Sequence, residues 1–248
     1  MAAPTTVGIL YPGYAAEDDY PIVEKLIGAE VALPVVHTSV GEDAHRVDAL
    51  LDLGDADRLA DGAERLRPLQ VDAVVWACTS ASFVFGWDGA RAQVDALAGL
   101  LGVPASSTSF AFVHAARALG VARVAVAATY PEEVASHFVA FLRRGGVEVL
   151  RLSSRGILTA AEAGALGRED VLELAAANDH ADADAVLLPD TALHTAAWLS
   201  ELEERVGKPV LTANQVSAWD GLRVAGHTGA HVGLGSLFAT GRVGEGGS

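Results

Sequence analysis

The chain has 248 residues and a formal net charge of −15, from 17 Lys and Arg against 32 Asp and Glu. With no basic stripe to neutralise phosphates it argues against a nucleic-acid partner, and no apolar run reaches the roughly 18 residues of a membrane span. A single cysteine excludes an intrachain disulfide framework, and the start Met1-Ala-Ala-Pro4 lacks the basic and apolar regions of a secretory signal, so a cytoplasmic protein is expected. Along the chain, Val7–Leu10 reads as a buried strand, Tyr20–Ile27 as a helix and Val31–Val36 as a second strand. Asp48–Leu69 carries Leu59, Leu66 and Leu69 at helical spacing, Asp72–Ala77 is a third strand, and Trp87–Leu101 is a helix ended by Gly102. A short strand follows Pro104. The second half repeats the plan: helix Phe110–Leu119, strand Val124–Ala128, helix Glu132–Arg144, strand Val147–Leu152, helix Arg168–Asn178, strand Ala185–Leu188, helix Ala196–Val206 and strand Val210–Thr212. Gly241–Ser248 is a Gly-rich tail expected to be flexible.

This β-α-β alternation predicts parallel sheets covered by helices on both faces. The halves are also related in detail. Asp72-Ala-Val-Val-Trp-Ala-Cys78-Thr79 matches Asp184-Ala-Val-Leu-Leu-Pro-Asp190-Thr191 at a constant offset of 112, and Tyr11-Pro12 matches Tyr130-Pro131 at an offset of 119. Two related halves can face each other across a cleft, and in such sheets ligands sit beyond the carboxyl ends of the strands.

Cys78, Asp190, Tyr11 and Tyr130 all fall at such ends. Cys78-Thr79-Ser80 follows a strand and precedes a loop, where free backbone N–H groups favour a thiolate. The same groups, with the Thr79 and Ser80 hydroxyls, suit a carboxylate or an enediolate. The alternative is a small buried cysteine with a packing role. Asp190, followed by Thr191, reads either as a cap for a segment beginning near Leu193 or as an acid–base group sharing a proton with Cys78. Tyr130 is placed to donate to a substrate carboxylate, and Pro12 and Tyr14 to line the pocket. Loops Pro12–Pro21 and Phe83–Trp87 are expected to supply its walls, with a weak hint of an apolar or aromatic group. His194 lies four residues after Asp190. His227-Thr-Gly-Ala-His231 has i, i+4 spacing but no accompanying Glu, so no metal is expected there. Dinucleotide, P-loop and Gly-x-Ser-x-Gly motifs are missing.

Taken together, Val7-Gly-Ile-Leu-Tyr-Pro12, Ala77-Cys78-Thr79-Ser80-Ala-Ser82-Phe83, Ala128-Thr129-Tyr130, the strand into Asp190, and Gly207-Lys-Pro209 through Trp219-Asp220 resemble the aspartate/glutamate racemase superfamily, in its branch of maleate cis-trans isomerases and arylmalonate decarboxylases. The resemblance covers nearly the whole chain. It implies two pseudo-symmetric α/β lobes, each a parallel sheet flanked by helices, with the active site in the cleft between them. Residues 1–113 plus 214–240 would form the first lobe and 114–213 the second. It implies catalysis without metal or organic cofactor, dimers or higher oligomers, and paired cysteines acting on opposite faces of the substrate. Cys78 holds the first of those positions, while Thr79, Ser80 and Tyr130 hold carboxylate-binding ones. The second cysteine position holds Asp190, and the asparagine of the maleate isomerase first loop is missing from Pro12-Gly-Tyr14-Ala15. The decarboxylases usually carry their cysteine at the position of Asp190 and none at that of Cys78. An ionised Asp190 would repel a dianion by about 4 kcal/mol at 4 Å and an effective dielectric near 20.

Three functions follow. The first is a cofactor-independent isomerase or racemase of a small carboxylic or dicarboxylic acid, with Cys78 as nucleophile or base and Asp190 opposite. The second is a decarboxylase of a substituted malonate, with Cys78 protonating the enediolate. The third is a carboxylate-binding protein without catalysis.

Overall fold

A computed structural model describes residues 3–239; the expected tail, 241–248, lies outside them. The first half runs β1 (Thr5–Pro12), α1 (Asp19–Ile27), β2 (Val31–Ala32), β3 (Val35–Thr38), α2 (Val47–Leu53), α3 (Ala56–Leu66), β4 (Ala73–Trp76), α4 (Ser80–Phe83), α5 (Gly86–Leu101) and β5 (Ala105–Ser107). The second runs α6 (Thr108–Leu119), β6 (Arg123–Ala128), α7 (Glu132–Arg144), β7 (Glu148–Ser154), α8 (Ala160–Gly164), α9 (Arg168–Ala177), β8 (Ala185–Leu188), α10 (Leu199–Val206) and β9 (Val210–Thr212). Helices α11 (Ala213–Val224) and α12 (Gly235–Ala239) close the described chain.

Every strand pairing is parallel. The first sheet has the order β2-β1-β4-β5, with β3 also paired to β1, and the second has the order β7-β6-β8-β9. The two orders superimpose, β1 on β6 and β4 on β8, which is the structural form of the sequence repeat. All four residues of β4 and of β8 are buried, as expected for strands covered on both faces. Full burial of side chains such as Ile9, Leu10 and Leu187 contributes roughly 1.5–3 kcal/mol each.

Several boundaries differ from those read in the sequence. The strand expected over Val31–Val36 is two strands broken at Leu33-Pro34. Proline has no N–H to give the ladder, but its carbonyl accepts from Ile9 N at 2.9 Å, so β1 stays paired across the break. The helix expected over Asp48–Leu69 is split. Gly54 ends α2, and the Asp55 side chain accepts from Asp57 N at 2.9 Å to start α3. A Cβ at Gly54 would sit 2.3 Å from the Ala81 carbonyl, so only glycine allows α4 to approach there. Cys78 leads into the short helix α4 rather than into a loop.

Helix α11, not anticipated in the sequence, is buried along nearly its whole length. It leaves the second sheet and packs on β1, β4 and β5 of the first. Contact is closest at Gly221, where a Cβ would lie 2.5 Å from Val7 Cγ1. Buried Asp220 binds His114 Nδ1 on α6 at 3.0 Å and Arg223 Nε at 2.7 Å, and accepts from Ser106 Oγ. Burial alone would raise its pKa, but His114 and Arg223 hold it below the usual carboxylate range. No described helix is long and apolar enough to cross a membrane.

Candidate active site

Cys78 lies two residues beyond the end of β4, and Asp190 two residues beyond the end of β8. Both reach the same cavity, of about 220 Å³, at the carboxyl ends of the strands. Pro12, Tyr14, Ser80 and Thr191 join them in its wall, so six of the eight expected site residues converge. Thr79 and Tyr130 do not. Tyr130, expected to meet a carboxylate, is fully buried behind the wall and donates its hydroxyl to the Pro189 carbonyl at 2.8 Å. Thr79 is likewise buried, and its Oγ1 has no hydrogen-bond partner among the described residues.

The expectation of a thiolate is corrected. Burial pushes the Cys78 thiol up to about 11 despite the Ala81 and Ser80 hydrogen bonds, and the Asp190 charge adds to the rise. The thiol is therefore neutral near pH 7, with Sγ 3.8 Å from Ser80 Oγ. No hydrogen bond joins Cys78 to Asp190 among the described residues, so the pair does not share a proton directly. Instead Asp190 accepts from Thr129 Oγ1 through one oxygen and from Ala192 N at 2.9 Å through the other. The second bond makes a local turn; the helical segment that follows starts as a 3-10 turn at Ala196–Trp198 with Thr195 at its N-terminus, so Asp190 does not cap it.

The Asp190 loop is braced on both sides. Tyr11 Oη donates to the Thr191 carbonyl at 2.8 Å, and Asn214 Nδ2 donates to the same oxygen at 3.1 Å. Burial raises the pKa of Tyr11 and of Tyr130, which keeps both phenols protonated as donors.

The remaining walls come from residues the sequence reading did not single out. Val40, Leu50 and Leu53 make an apolar side, and Glu42, Asp43 and His45 a polar rim. The segment Asp43–His45 clasps the second lobe. His45 Nδ1 meets the Ile157 carbonyl at 2.9 Å, His45 N donates to Leu158 O at 2.7 Å, and Asp43 accepts from Ala160 N at 2.8 Å. Its position just beyond a strand end was the available signal. Phe83–Trp87 does not line the cavity; Phe83 packs on Tyr130 and Phe138, and Trp87 on Phe110 and Phe141. Tyr14 is 77% exposed and stacks on His37, while His194 pairs with Asp18 outside the cavity.

This arrangement has known relatives. Arylmalonate decarboxylase from Bordetella bronchiseptica is 31% identical over 253 residues, covering 96% of this chain and 98% of its own. A double variant of arylmalonate decarboxylase in its liganded form, with one glycine changed to cysteine and one cysteine to serine, has a TM-score of 0.82 at 27% identity. The match covers 95% of this chain and 98% of that one. Maleate isomerase from Pseudomonas putida S16 has a TM-score of 0.87 at 20% identity, covering 96% and 99%, a likeness of fold. A family model described as arylmalonate decarboxylase matches residues 54–238. The chain is an enzyme of the arylmalonate decarboxylase family.

Proposed function

We propose that the protein decarboxylates α-substituted malonates without a cofactor, and that Cys78 protonates the resulting enediolate. The observation that carries this reading is that Cys78, the chain's one thiol, faces a cavity between the two lobes, where burial and the Asp190 charge raise its pKa and so favour the protonated form. Addition to a cis-enedioate needs a thiolate at the outset; protonation of a carbanion needs the thiol. The C–C bond to one carboxylate breaks, CO₂ leaves, and the electron pair delocalises from the α-carbon into the remaining carboxylate. The α-carbon then takes the Cys78 proton, and solvent reprotonates the thiolate.

Ser80 and Thr191 hold the remaining carboxylate. Tyr130 acts from behind by holding the Pro189 carbonyl, and Thr79 is held through its own backbone carbonyl, which accepts from Ser109 Oγ at 2.9 Å. The apolar side formed by Val40, Leu50 and Leu53 offers an anion no hydrogen bond, whereas neutral CO₂ loses little there. Pro12 and Tyr14 face the α-substituent. A second reading, racemisation of an α-substituted acid, is favoured by Asp190 reaching the same cavity from the opposite lobe. We place the enzyme in the reducing cytoplasm, which preserves a single thiol, as a homo-oligomer acting on small carboxylates.

Proton NMR in D₂O tests the proposal with aryl- and alkylmalonates, maleate and chiral α-substituted acids, using Cys78→Ala as control. The expected result is a Cys78-dependent monoacid carrying one deuterium at the α-carbon. Fumarate from maleate, or exchange of a chiral acid with no loss of CO₂, would overturn it in favour of isomerisation or racemisation.

A further inference from the structure

The geometry points to a divalent transition-metal site, of the zinc class, formed by Glu30, His227 and His231 at the end of the first lobe away from Cys78. Their ligand atoms lie within 4.8 Å of one another. The sequence pattern His227-Thr-Gly-Ala-His231 lacks an acid, and the fold supplies one from the turn between α1 and β2.

His227 Nε2 and His231 Nε2 face each other at 3.3 Å. That is long for an N–H···N hydrogen bond. It matches the separation of about 3.3–3.4 Å between two nitrogens bound tetrahedrally at 2.0–2.1 Å to one zinc ion. The space beside both nitrogens is kept open by Gly229, where a Cβ would lie 3.2 Å from His231 Nε2 and 3.8 Å from His227 Nε2. Backbone bonds fix both histidines: His227 N donates to Leu222 O at 2.9 Å and His231 N to Phe238 O at 3.0 Å. Glu30 is anchored through its carbonyl, which accepts from Thr5 N at 2.8 Å. Its side chain is 60% exposed, with Oε1 3.9 Å from His231 Nδ1, the ring nitrogen other than the one that faces His227, so the free carboxylate has to swing past the ring edge to reach an ion at the two Nε2 atoms. His231 also borders an open surface cleft, through which water can reach the fourth position. A bound ion would tie the α1–β2 turn to the segment carrying buried Leu234, Leu237 and Phe238.

The test is calorimetric titration of tag-free, metal-stripped full-length protein with ZnCl₂, and with CoCl₂ for the visible absorption of a tetrahedral ion. One equivalent should bind to the wild type and equally to Cys78→Ala. Affinity should fall at least about tenfold in His227→Gln and in His231→Gln, as for other metal-site lesions. Gly229→Ala, with all ligands intact, should also weaken binding. Zinc should raise the melting temperature of the wild type and not of the histidine variants. Glu30→Gln, altered only at an exposed side chain, keeps the test valid if a histidine variant fails to fold, and should also bind more weakly. No binding, binding unchanged in Glu30→Gln and both histidine variants, or binding lost in Cys78→Ala would overturn the site.

Discussion

Tyr11, near the end of β1, donates its hydroxyl to the Thr191 carbonyl at 2.8 Å and so joins the first lobe to the residue beside Asp190. Tyr11 Oη also accepts from Ala16 N at 3.1 Å. Tyr11→Phe removes both bonds and leaves a buried N–H without its acceptor, while Thr191 O keeps Asn214. The expected cost is about 1–3 kcal/mol, read as a lower urea midpoint with an unchanged slope. An unchanged midpoint would mean that this bond does not hold the lobes together.

Cys78 should behave as a proton donor. Burial, with the Asp190 charge, raises its thiol to about 11, so the acid form is present throughout the neutral range and is lost as pH rises through that value. Alkylation by iodoacetamide should therefore accelerate with pH toward a midpoint near 11, whereas a midpoint below the free-cysteine value of about 8.5 would contradict the assignment. Replacing Cys78 by Ala should lower kcat for malonate decarboxylation by about 10²–10⁴-fold, with KM changed far less.

The parallel α/β plan was legible because the strands are continuous apolar runs, and the duplication because Asp72–Thr79 and Asp184–Thr191 still match. Six wall residues were legible because they follow strand ends. The inward or outward direction of Thr79 and Tyr130 was not, since it depends on how the chain turns after β4 and β6. Helix α11 was missed because residues buried on every side carry no amphipathic period. The rise of the Cys78 pKa was legible only in part: the backbone N–H groups and a facing carboxylate at Asp190 could be read from the sequence, but the burial that dominates is tertiary. Of the expected division into 1–113 plus 214–240 and 114–213, the return of the chain from residue 214 to the first lobe is proposed on the packing of α11 against β1, β4 and β5, whereas a boundary between 113 and 114 falls inside α6.

Asp190 raises the Cys78 pKa through its charge, with no hydrogen bond between the two among the described residues. Its oxygens bind Thr129 Oγ1 and Ala192 N, and an Asn side chain keeps an acceptor for one of them. Asp190→Asn should therefore leave the loop folded and lower the Cys78 pKa, because it removes a cause that raises it. Iodoacetamide would then react faster at neutral pH. The same change should lower KM for a dianionic malonate, since a like charge leaves the cavity. A thiol reactivity identical to wild type would show that burial alone sets the pKa.

The side from which the proton arrives fixes the product. The resemblance places the usual decarboxylase cysteine at the position of Asp190, in the second lobe. Here the thiol follows β4 in the first lobe, and the second lobe offers a carboxylate. If the prochiral enediolate sits in the same orientation in both kinds of enzyme, Cys78 delivers its proton to the opposite face. Decarboxylation of an α-aryl-α-methylmalonate should then give the acid of opposite hand to that from enzymes with a cysteine in the second lobe, as read by chiral chromatography. Asp190→Cys, which puts a thiol on both sides, should erode that excess by letting either face exchange its α-proton. Product of the same hand as those enzymes would mean that the substrate binds flipped or that Cys78 is not the donor, and retention of full excess in Asp190→Cys would place the new thiol out of reach of the α-carbon.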